Sequence, residues 1–337
     1  MKHRLTLRDI AEAGNVSEMT VSRALRGAHD VSIETRERIN RIAFEMGYVP
    51  NKIAGALASK RVDLVGVIVP SVRSYIFSEV LDGISKALAE TKLRPVFGMT
   101  DYDPAEETQV IKDMLSWRPS GLIVAGLEHS AEAKTILRAT DVPVVEMMDI
   151  DGEPIHTAVG ISNQKAAYNM GQTILAKGHK EIAFIGTKMD HDYRATKRLQ
   201  GFKRALAEAS TTLNSIKLYS EGSSVSKGRE IAKQLLTENP KIDCIYCTND
   251  LVALGAMMYC LEAGIDIPND VGIAGFSNLN ILEGMPKRLA TTDSKRFITG
   301  LKAAEFIVAQ LDNTDAKPGG IIEIESELVV GDSLRNG

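Results

Sequence analysis

The order of apolar and polar residues from Val62 onward follows one repeated pattern. Short apolar runs alternate with longer stretches in which apolar residues recur at helical spacing. The runs are VDLVGVIVP, RPVFGMT, GLIVAG and PVVEMMD, then a restart at TAVGIS, followed by EIAFIGT, SIKLYS, CIYCTND and VGIAGFS. Alternating strands and helices build parallel sheets covered by helices on both faces. We therefore predict an α/β protein with two doubly wound parallel-sheet subdomains, completed by a helix over 295–311 and the strand-like run IIEIESELVV.

The first fifty residues instead predict three helices. Thr6 and Asp9 have the spacing of a capping box at the start of the first helix. Gly14-Asn15 ends that helix because both residues tolerate the left-handed conformation, and Ser17 caps the second. Two short helices joined by a tight turn are typical of a helix-turn-helix. An ordinary helical hairpin with a solvated face has the same pattern and remains the alternative.

The second predicted helix has two distinct faces. Val21, Ala24 and Leu25 form an apolar face, and the opposite face contains Glu18, Met19, Ser22, Arg23 and Arg26. A third helix is predicted over 33–46, with Arg36, Arg38 and Arg41 exposed. Residues 1–49 thus form a three-helix headpiece. The Ala-rich segment 50–61 is too short to hold a helix in water without a partner, which indicates a linker.

Charge is unevenly distributed along the chain. Residues 1–61 contain 11 Lys/Arg and 7 Asp/Glu, a net charge of +4, whereas the remaining residues contain 29 and 37, a net charge of −8. A basic segment on an acidic body favours a small polyanion-binding module attached to a larger domain. The N-terminus lacks a secretory h-region, and no run approaches the ~18 apolar residues of a membrane span. We expect a cytoplasmic protein with no membrane partner.

Candidate chemistry of other kinds is weak. The three cysteines are few and odd in number, as expected in a reducing compartment. Cys244 and Cys247 form a C-x-x-C pattern, but strand spacing sends their side chains to opposite faces, so buried packing is favoured over a metal or redox role. The sequence has no G-x-x-x-x-G-K-[ST], G-x-G-x-x-G or G-x-S-x-G motif. We predict no enzymatic activity, no cofactor and no metal site.

Polar loops follow the predicted strands at their carboxyl ends, which are the ligand-binding ends of open α/β sheets. Two such edges that face each other form a cleft. The loops span residues 70–75, 100–103, 128–129, 149–151, 188–194, 248–250 and 277–280.

These segments together resemble the LacI/GalR family of bacterial transcription regulators over essentially the whole chain. The headpiece motifs are TLRDIAEAGNVSEMTVSRALRG, VSIETRERI and GYVPNKIAGAL, and those of the body are CTNDLVALGAM, DIPNDVGIAGFSN and LATTD. Within the family, VEMMDIDGEPIHTAVGISN and MLSWRPSGLIV are most similar to the gluconate-operon repressors. The resemblance implies a periplasmic-binding-protein-like core over 62–337, in which the chain crosses between subdomains near Ser162, Thr291 and Glu325. The N-subdomain would then include about 62–161 and 292–324, and the C-subdomain about 162–291 and 325–337.

The resemblance also implies which residues contact an operator in double-stranded DNA. Base edges in the major groove would be read by Glu18, Met19 and Arg23, on a face that also includes Arg26. Phosphate contacts are implied for Thr6, Ser17, Thr20, Ser22, Ser32 and Thr35. The linker would become a hinge helix on DNA, in which Asn51, Ala54 and Leu57 make contacts and Leu57 enters the minor groove. Gly55 disfavours that helix by about 1 kcal/mol relative to Ala, and simple linker packing is the alternative for Leu57.

For the cleft, the resemblance and the loop positions together imply a set of effector contacts. They are Phe77, Asp101, His129, Asp149, Ser162, Arg194, Arg198, Asn249, Asp250, Phe276, Ser277 and Asn278. Many sugar-binding members have carboxylates where this chain has Ser162, Ser277 and Asn278. Carboxylates accept hydrogen bonds from neutral sugars but repel anions. The neutral residues therefore favour a sugar acid such as gluconate, bound by arginine. Arg194 and His129 could equally be solvated loop residues.

The resulting expectation is a homodimeric DNA-binding regulator, a repressor whose operator affinity responds to a sugar or sugar-acid effector. A sugar-binding solute receptor with no role at DNA is the alternative.

Overall fold

The computed structural model describes residues 5–50, 61–71, 75–312 and 319–336. The chain forms two compact units, Met1–Val62 and Asp63–Gly337. The hinge residues predicted from the linker (Asn51, Ala54 and Leu57) lie outside the described residues. The two units are described separately below as the headpiece and the core.

The headpiece contains helices α1 (Leu7–Gly14), α2 (Glu18–Leu25) and α3 (Ile33–Met46). The Thr6 backbone N–H donates to the Asp9 carboxylate at 2.7 Å, as the capping box predicts, and Asn15 adopts the left-handed conformation at φ 47°. Gly14 is the last residue of α1 and does not itself form the turn. A Cβ on Gly14 would lie 2.7 Å from Ile39 Cδ1, so its lack of a side chain permits α1 to approach α3.

Ile10, Val21 and Ile39 are fully buried at the centre of the headpiece. The prediction that Arg36 is exposed is wrong. Its guanidinium is partly buried and donates to the backbone carbonyls of Ala28 and Val31, both at 3.4 Å. These carbonyls belong to the turn between α2 and α3, where the Ala28 carbonyl also accepts from the Val31 backbone N–H at 3.4 Å.

The core is built on two separate sheets. The larger sheet contains β1 (Val62–Val69), β2 (Arg94–Met99), β3 (Pro119–Ala125), β4 (Val144–Met147), β5 (Thr157–Gly160) and β11 (Gly320–Glu323), in the spatial order β11-β5-β4-β3-β1-β2. Around it lie α4 (Tyr75–Leu88), α5 (Pro104–Ser116), α6 (Ala131–Ala139) and α11 (Arg296–Asp312). We call this part the first lobe. The alternation of strands and helices restarts at TAVGIS, and its strand β5 pairs with β4 and β11, so β5 belongs to the first lobe.

The second lobe contains β6 (Ile182–Thr187), β7 (Ser215–Tyr219), β8 (Cys244–Cys247) and β9 (Gly272–Ala274), in the order β7-β6-β8-β9. Its helices are α7 (Asn163–Ala176), α8 (Tyr193–Glu208), α9 (Val225–Glu238) and α10 (Asp250–Ala263). The pairs β6–β7, β6–β8 and β8–β9 are parallel. Cys244 and Cys247 are free and buried in different hydrophobic clusters, which confirms the predicted packing on opposite faces.

The chain crosses between the lobes after β5, between β10 (Thr291–Asp293) and α11, and between β11 and β12 (Glu327–Val329). The strand-like run IIEIESELVV contains two strands. Its first half pairs with β5 in the larger sheet, whereas its second half forms an antiparallel ribbon with β10. The crossing separates the two halves, and local residue patterns do not reveal such a change of partner.

Close helix packing fixes α4 against α11 in the first lobe. A Cβ on Gly83 would clash with the carbonyl of Phe297, and one on Gly300 would clash with the carbonyl of Val80. Because these neighbours are backbone atoms, they cannot move aside by changing rotamer. The two glycines therefore determine the distance between the helices.

Candidate functional site

The described headpiece presents a polar and basic face on α2. Val21 and Ala24 are buried, whereas Glu18, Met19, Arg23 and Arg26 are exposed and Thr20 and Ser22 are partly exposed. Met19 leaves 63% of its surface accessible. The face is therefore available to a partner.

Hydroxyl groups cluster at the starts of α2 and α3. Ser17 Oγ accepts from the Thr20 backbone N–H at 3.1 Å and lies 2.9 Å from Thr20 Oγ1. Ser32 and Thr35 repeat this arrangement at α3, with the corresponding distances of 3.2 and 2.9 Å. With Thr6 preceding α1, each helix of the headpiece begins with a capping hydroxyl. Helix N-termini with hydroxyl donors suit phosphate contacts.

The two arginines of this face differ in how they are held. Arg23 Nη1 lies 2.9 Å from Asp30 Oδ2 in the turn before α3. Arg26 Nε donates to the Ser22 carbonyl at 3.1 Å and so lies against the end of its own helix. Asp30 was missed by sequence reasoning, although its position in the α2–α3 turn is within reach of the α2 face.

Between the two lobes of the core lies a cleft with two neighbouring pockets. The first, which we call the arginine pocket, has a volume of about 440 Å³ and is lined by residues that include Phe77, Asn163, Arg194, Arg198, Phe276 and Ser277. Of the predicted effector contacts, five line this pocket: Phe77, Arg194, Arg198, Phe276 and Ser277.

The start of α8 places both arginines in this pocket, and both are buried. Arg198 Nη1 donates to Asn163 Oδ1 at 3.0 Å, and its guanidinium lies 4.5 Å from the Phe276 ring centre. Arg194 Nε lies 3.4 Å from Asp192 Oδ1 and its guanidinium 5.6 Å from the Phe77 ring centre. Although burial opposes ionisation, the two arginines lower the pKa of Asp192 below its ordinary value. Within the described residues, Arg194 Nη1 and Arg198 Nε donate no hydrogen bond, although both are buried.

The second pocket, which we call the carboxylate pocket, has a volume of about 450 Å³. Its ionisable lining residues are Asp103, Glu107, Glu128, His191, Asp192 and Arg194. The two pockets share Tyr102, Asp192 and Arg194. Burial raises the pKa of Tyr102 to about 12, so its hydroxyl stays protonated at neutral pH and can donate a hydrogen bond.

Lys197 connects the lobes across the cleft, and sequence reasoning missed it. Its Nζ lies 2.5 Å from Glu128 Oε1 and also pairs with the fully buried Asp149. Both carboxylates follow strands of the first lobe, whereas Lys197 lies on α8 of the second. The helical spacing of Arg194, Lys197 and Arg198 could have identified it, because positions i, i+3 and i+4 share a face.

His129 does not line either pocket and is not a solvated loop residue. It is buried between two glutamates, with Nδ1 2.8 Å from Glu107 Oε1 and Nε2 3.3 Å from Glu146 Oε1. Burial alone would lower its pKa, but the hydrogen bonds to Glu107 and Glu146 raise it to about 9. His129 is therefore charged at neutral pH and supports Glu107, which does line the carboxylate pocket.

Several other predicted contacts belong to the lobe framework and do not line these two pockets. Ser162 caps α7 and donates to Asp151 at 2.5 Å, and Asn249 caps α10. Asp250 is completely buried and accepts from Thr291 Oγ1 at 2.6 Å and from the Leu279 N–H at 2.8 Å. Burial raises the pKa of Asp250 to about 6, against these hydrogen bonds. Asp101 is an exposed residue near Lys188, and the Asn278 N–H donates to Thr291 at 3.3 Å.

Residues 5–50, 61–71, 75–312 and 319–336 contain no group of three His, Cys, Asp or Glu side chains arranged to hold a metal ion. The helices in the same ranges lack the combination of length and apolar character that crossing a lipid bilayer requires.

Comparison with known proteins supplies the remaining evidence. Residues 6–51 match the family model of bacterial regulatory proteins of the lacI family, and residues 62–325 match that of periplasmic binding proteins and the sugar binding domain of the LacI family. The chain is 34% identical to the HTH-type transcriptional regulator IdnR of Escherichia coli K12, over 93% of this chain and 94% of that protein. It is 33% identical to the regulator GntR of the same organism, over 94% and 95%.

A crystal structure of a LacI family transcriptional regulator from Silicibacter pomeroyi is 50% identical, with a TM-score of 0.95 over 98% of this chain and all of that one. The relatives IdnR and GntR agree with the resemblance to the gluconate-operon subgroup. They are transcriptional regulators and not enzymes. The chain belongs to the LacI family and is a DNA-binding transcriptional regulator with a periplasmic-binding-protein-like core.

Proposed function

We propose that this regulator is a homodimeric repressor whose affinity for its operator is lowered by a sugar acid, gluconate or a close relative, bound in the arginine pocket. Residues 1–49 bind DNA, 50–61 form the hinge on the operator, and 62–337 bind the effector and dimerise. Two copies of the headpiece are needed to read a near-palindromic site, which requires two-fold symmetry.

The observation that supports an acidic effector is the pair of donors left without a partner in the arginine pocket. Arg194 Nη1 and Arg198 Nε are buried, and an unpaired buried donor of a charged group is costly. A carboxylate supplies two acceptor oxygens and a negative charge at once. Ser277 and Phe276, which line the same pocket, add no negative charge.

Effector binding would act on DNA through the angle between the lobes. Closure or opening of the cleft changes the spacing of the two headpieces and so the stability of the hinge helices on the operator. Because such coupling is reciprocal, operator DNA must weaken effector binding by the same factor.

Titration calorimetry with a matched pair of six-carbon ligands tests the effector class. Gluconate and glucitol (the uncharged six-carbon polyol) have similar hydroxylated chains and differ in the carboxylate. We expect gluconate to bind and glucitol to bind much more weakly. Tight binding of glucitol or of a neutral sugar, with no response to any sugar acid, contradicts the proposal.

A solute receptor without a role at DNA is the competing function, and salt dependence distinguishes it. A repressor that contacts phosphates loses operator affinity steeply as salt rises. The hydroxyl-capped helix starts and the basic face of α2 favour the repressor.

A further inference from the structure

We propose that the carboxylate pocket is a second effector subsite, which accepts the uncharged hydroxylated end of the sugar acid and excludes acids with an anionic group at both ends. This inference rests on the sugar-acid effector proposed above. It assigns the orientation of the ligand and a selectivity among acids, neither of which follows from the arginine pocket alone.

The two pockets adjoin each other. They share Tyr102, Asp192 and Arg194 at their boundary. Arg194 is 8% exposed, and its Nη1 donates no hydrogen bond within the described residues. An unpaired buried donor at the boundary can bind a ligand carboxylate or its adjacent hydroxyl. A linear sugar acid held there extends from one pocket into the other.

The net charge of the lining residues is positive in the arginine pocket and negative in the carboxylate pocket. The arginine pocket is lined by Arg194 and Arg198 against the single carboxylate of Asp192. The carboxylate pocket is lined by Asp103, Glu107, Glu128 and Asp192 against Arg194, and by the imidazole of His191. The carboxylate of a ligand therefore belongs at the Arg198 end, and its far end lies among carboxylates.

The cations behind the carboxylate pocket do not cancel this charge. His129 pairs with Glu107 but also contacts Glu146, and Lys197 pairs with Glu128 but also with Asp149. Glu146 and Asp149 are completely buried, so each cation is shared between two carboxylates. The carboxylates of the pocket and the cations behind it therefore keep a net negative charge.

Carboxylates that line a pocket are acceptors for hydroxyl groups. Glu107 and Glu128 can each accept hydrogen bonds from a polyol, and an ionised carboxylate cannot donate in return to a second anion. A ligand carboxylate placed beside them would meet like charge in a partly enclosed site, where screening is weak. Rejection of the wrong ligand by repulsion is an effective source of specificity.

Gluconate and glucarate provide the direct test, because glucarate is gluconate with its far hydroxymethyl group oxidised to a carboxylate. Calorimetry on the full-length protein would measure both ligands on the wild type and on Glu107→Gln, Glu128→Gln and Glu106→Gln. Glu106 lies beside Glu107 in the first turn of α5 but is exposed and does not line the pocket, so Glu106→Gln is the matched control.

We expect glucarate to bind the wild type at least about tenfold more weakly than gluconate. Glu128→Gln should reduce this difference in affinity between gluconate and glucarate, and Glu107→Gln should reduce it independently. Glu106→Gln should leave the difference unchanged. The two variants lose different cation partners, so a folding defect in one does not affect the other. The inference is overturned if the wild type binds both ligands equally, or if the difference in affinity is unchanged in both Glu107→Gln and Glu128→Gln. Either result leaves the sugar-acid proposal unaffected. Absence of gluconate binding overturns both.

Discussion

The ion pairs of Lys197 across the cleft give the most demanding prediction about stability. Lys197→Met removes the ammonium group and keeps an unbranched apolar chain. Asp149, which is completely buried, then loses the cation with which it pairs. Breaking a buried pair by removing one partner costs about 3–5 kcal/mol, because the other charge stays buried. Asp149 keeps the Asp151 N–H at 3.0 Å and the Asn163 amide at 3.3 Å, so we expect the lower end of that range.

A double-mutant cycle separates the pair from the loss of packing. We expect Lys197→Met to lower the free energy of unfolding of the core by about 3 kcal/mol. Combination with Asp149→Asn, which removes the uncompensated charge, should cost less than the sum of the single variants by about 2 kcal/mol. Lys203 lies on the same helix and is exposed, so Lys203→Met is the control and should change stability by less than about 0.5 kcal/mol.

Urea denaturation followed by tryptophan fluorescence is suitable because the single tryptophan, Trp117, lies in the core unit. Additive effects of Lys197→Met and Asp149→Asn, or a Lys197→Met variant as stable as Lys203→Met, would refute the reasoning.

Three further predictions concern other parts of the chain. Because the pKa of His129 is raised from 6.5 to about 9, its contribution to stability is complete below about pH 6.5 and is lost as the pH rises through 9. The free energy of unfolding, measured by urea denaturation, should fall by a few kcal/mol between these pH values, at about 1.4 kcal/mol per pKa unit. His129→Gln should remove this pH dependence. Gly300→Ala should destabilise the core by about 1–3 kcal/mol, because the added methyl clashes with the Val80 carbonyl, and a thermal melt as high as that of the wild type contradicts this packing. Arg23→Lys should cost about 1–3 kcal/mol of operator binding in a mobility-shift titration, since lysine cannot form the guanine fork, while the exposed Arg41→Lys should match the wild type.

Local patterns predicted the elements more accurately than their partners. The caps at Thr6, Ser17 and Ser32 and the left-handed Asn15 depend only on neighbouring residues, and the structure has them as expected. The runs TAVGIS and IIEIESELVV were recognised as strands from their local patterns, but the crossings near Ser162 and Glu325 came only from the family resemblance. Which sheet a strand joins depends on the crossings between lobes, and apolar runs contain no record of them.

In the effector cleft, too, single residues were predicted better than the partners they contact. Arg198 was identified from the family resemblance and Arg194 from its position in a polar loop, but the arrangement of the carboxylates was not predicted. Lys197 meets Asp149 across 48 residues of sequence, and His129 meets Glu107 across 22. The first pair forms only after both lobes have folded, and the second only after the first lobe has folded. The contacts with Glu107 and Glu146 make His129 a charged supporting residue, and burial makes Asp250 part of the framework, whereas sequence position alone placed both in the cleft.

The proposed coupling between the cleft and DNA is tested most directly by operator affinity measured with and without gluconate on the full-length protein. The DNA would be a promoter fragment adjacent to its own gene, titrated at fixed salt. We expect saturating gluconate to weaken binding by about tenfold or more, and Arg198→Gln to remove this response while leaving binding without gluconate unchanged. Operator affinity that is identical at every gluconate concentration, or a protein that binds no such fragment, contradicts the account.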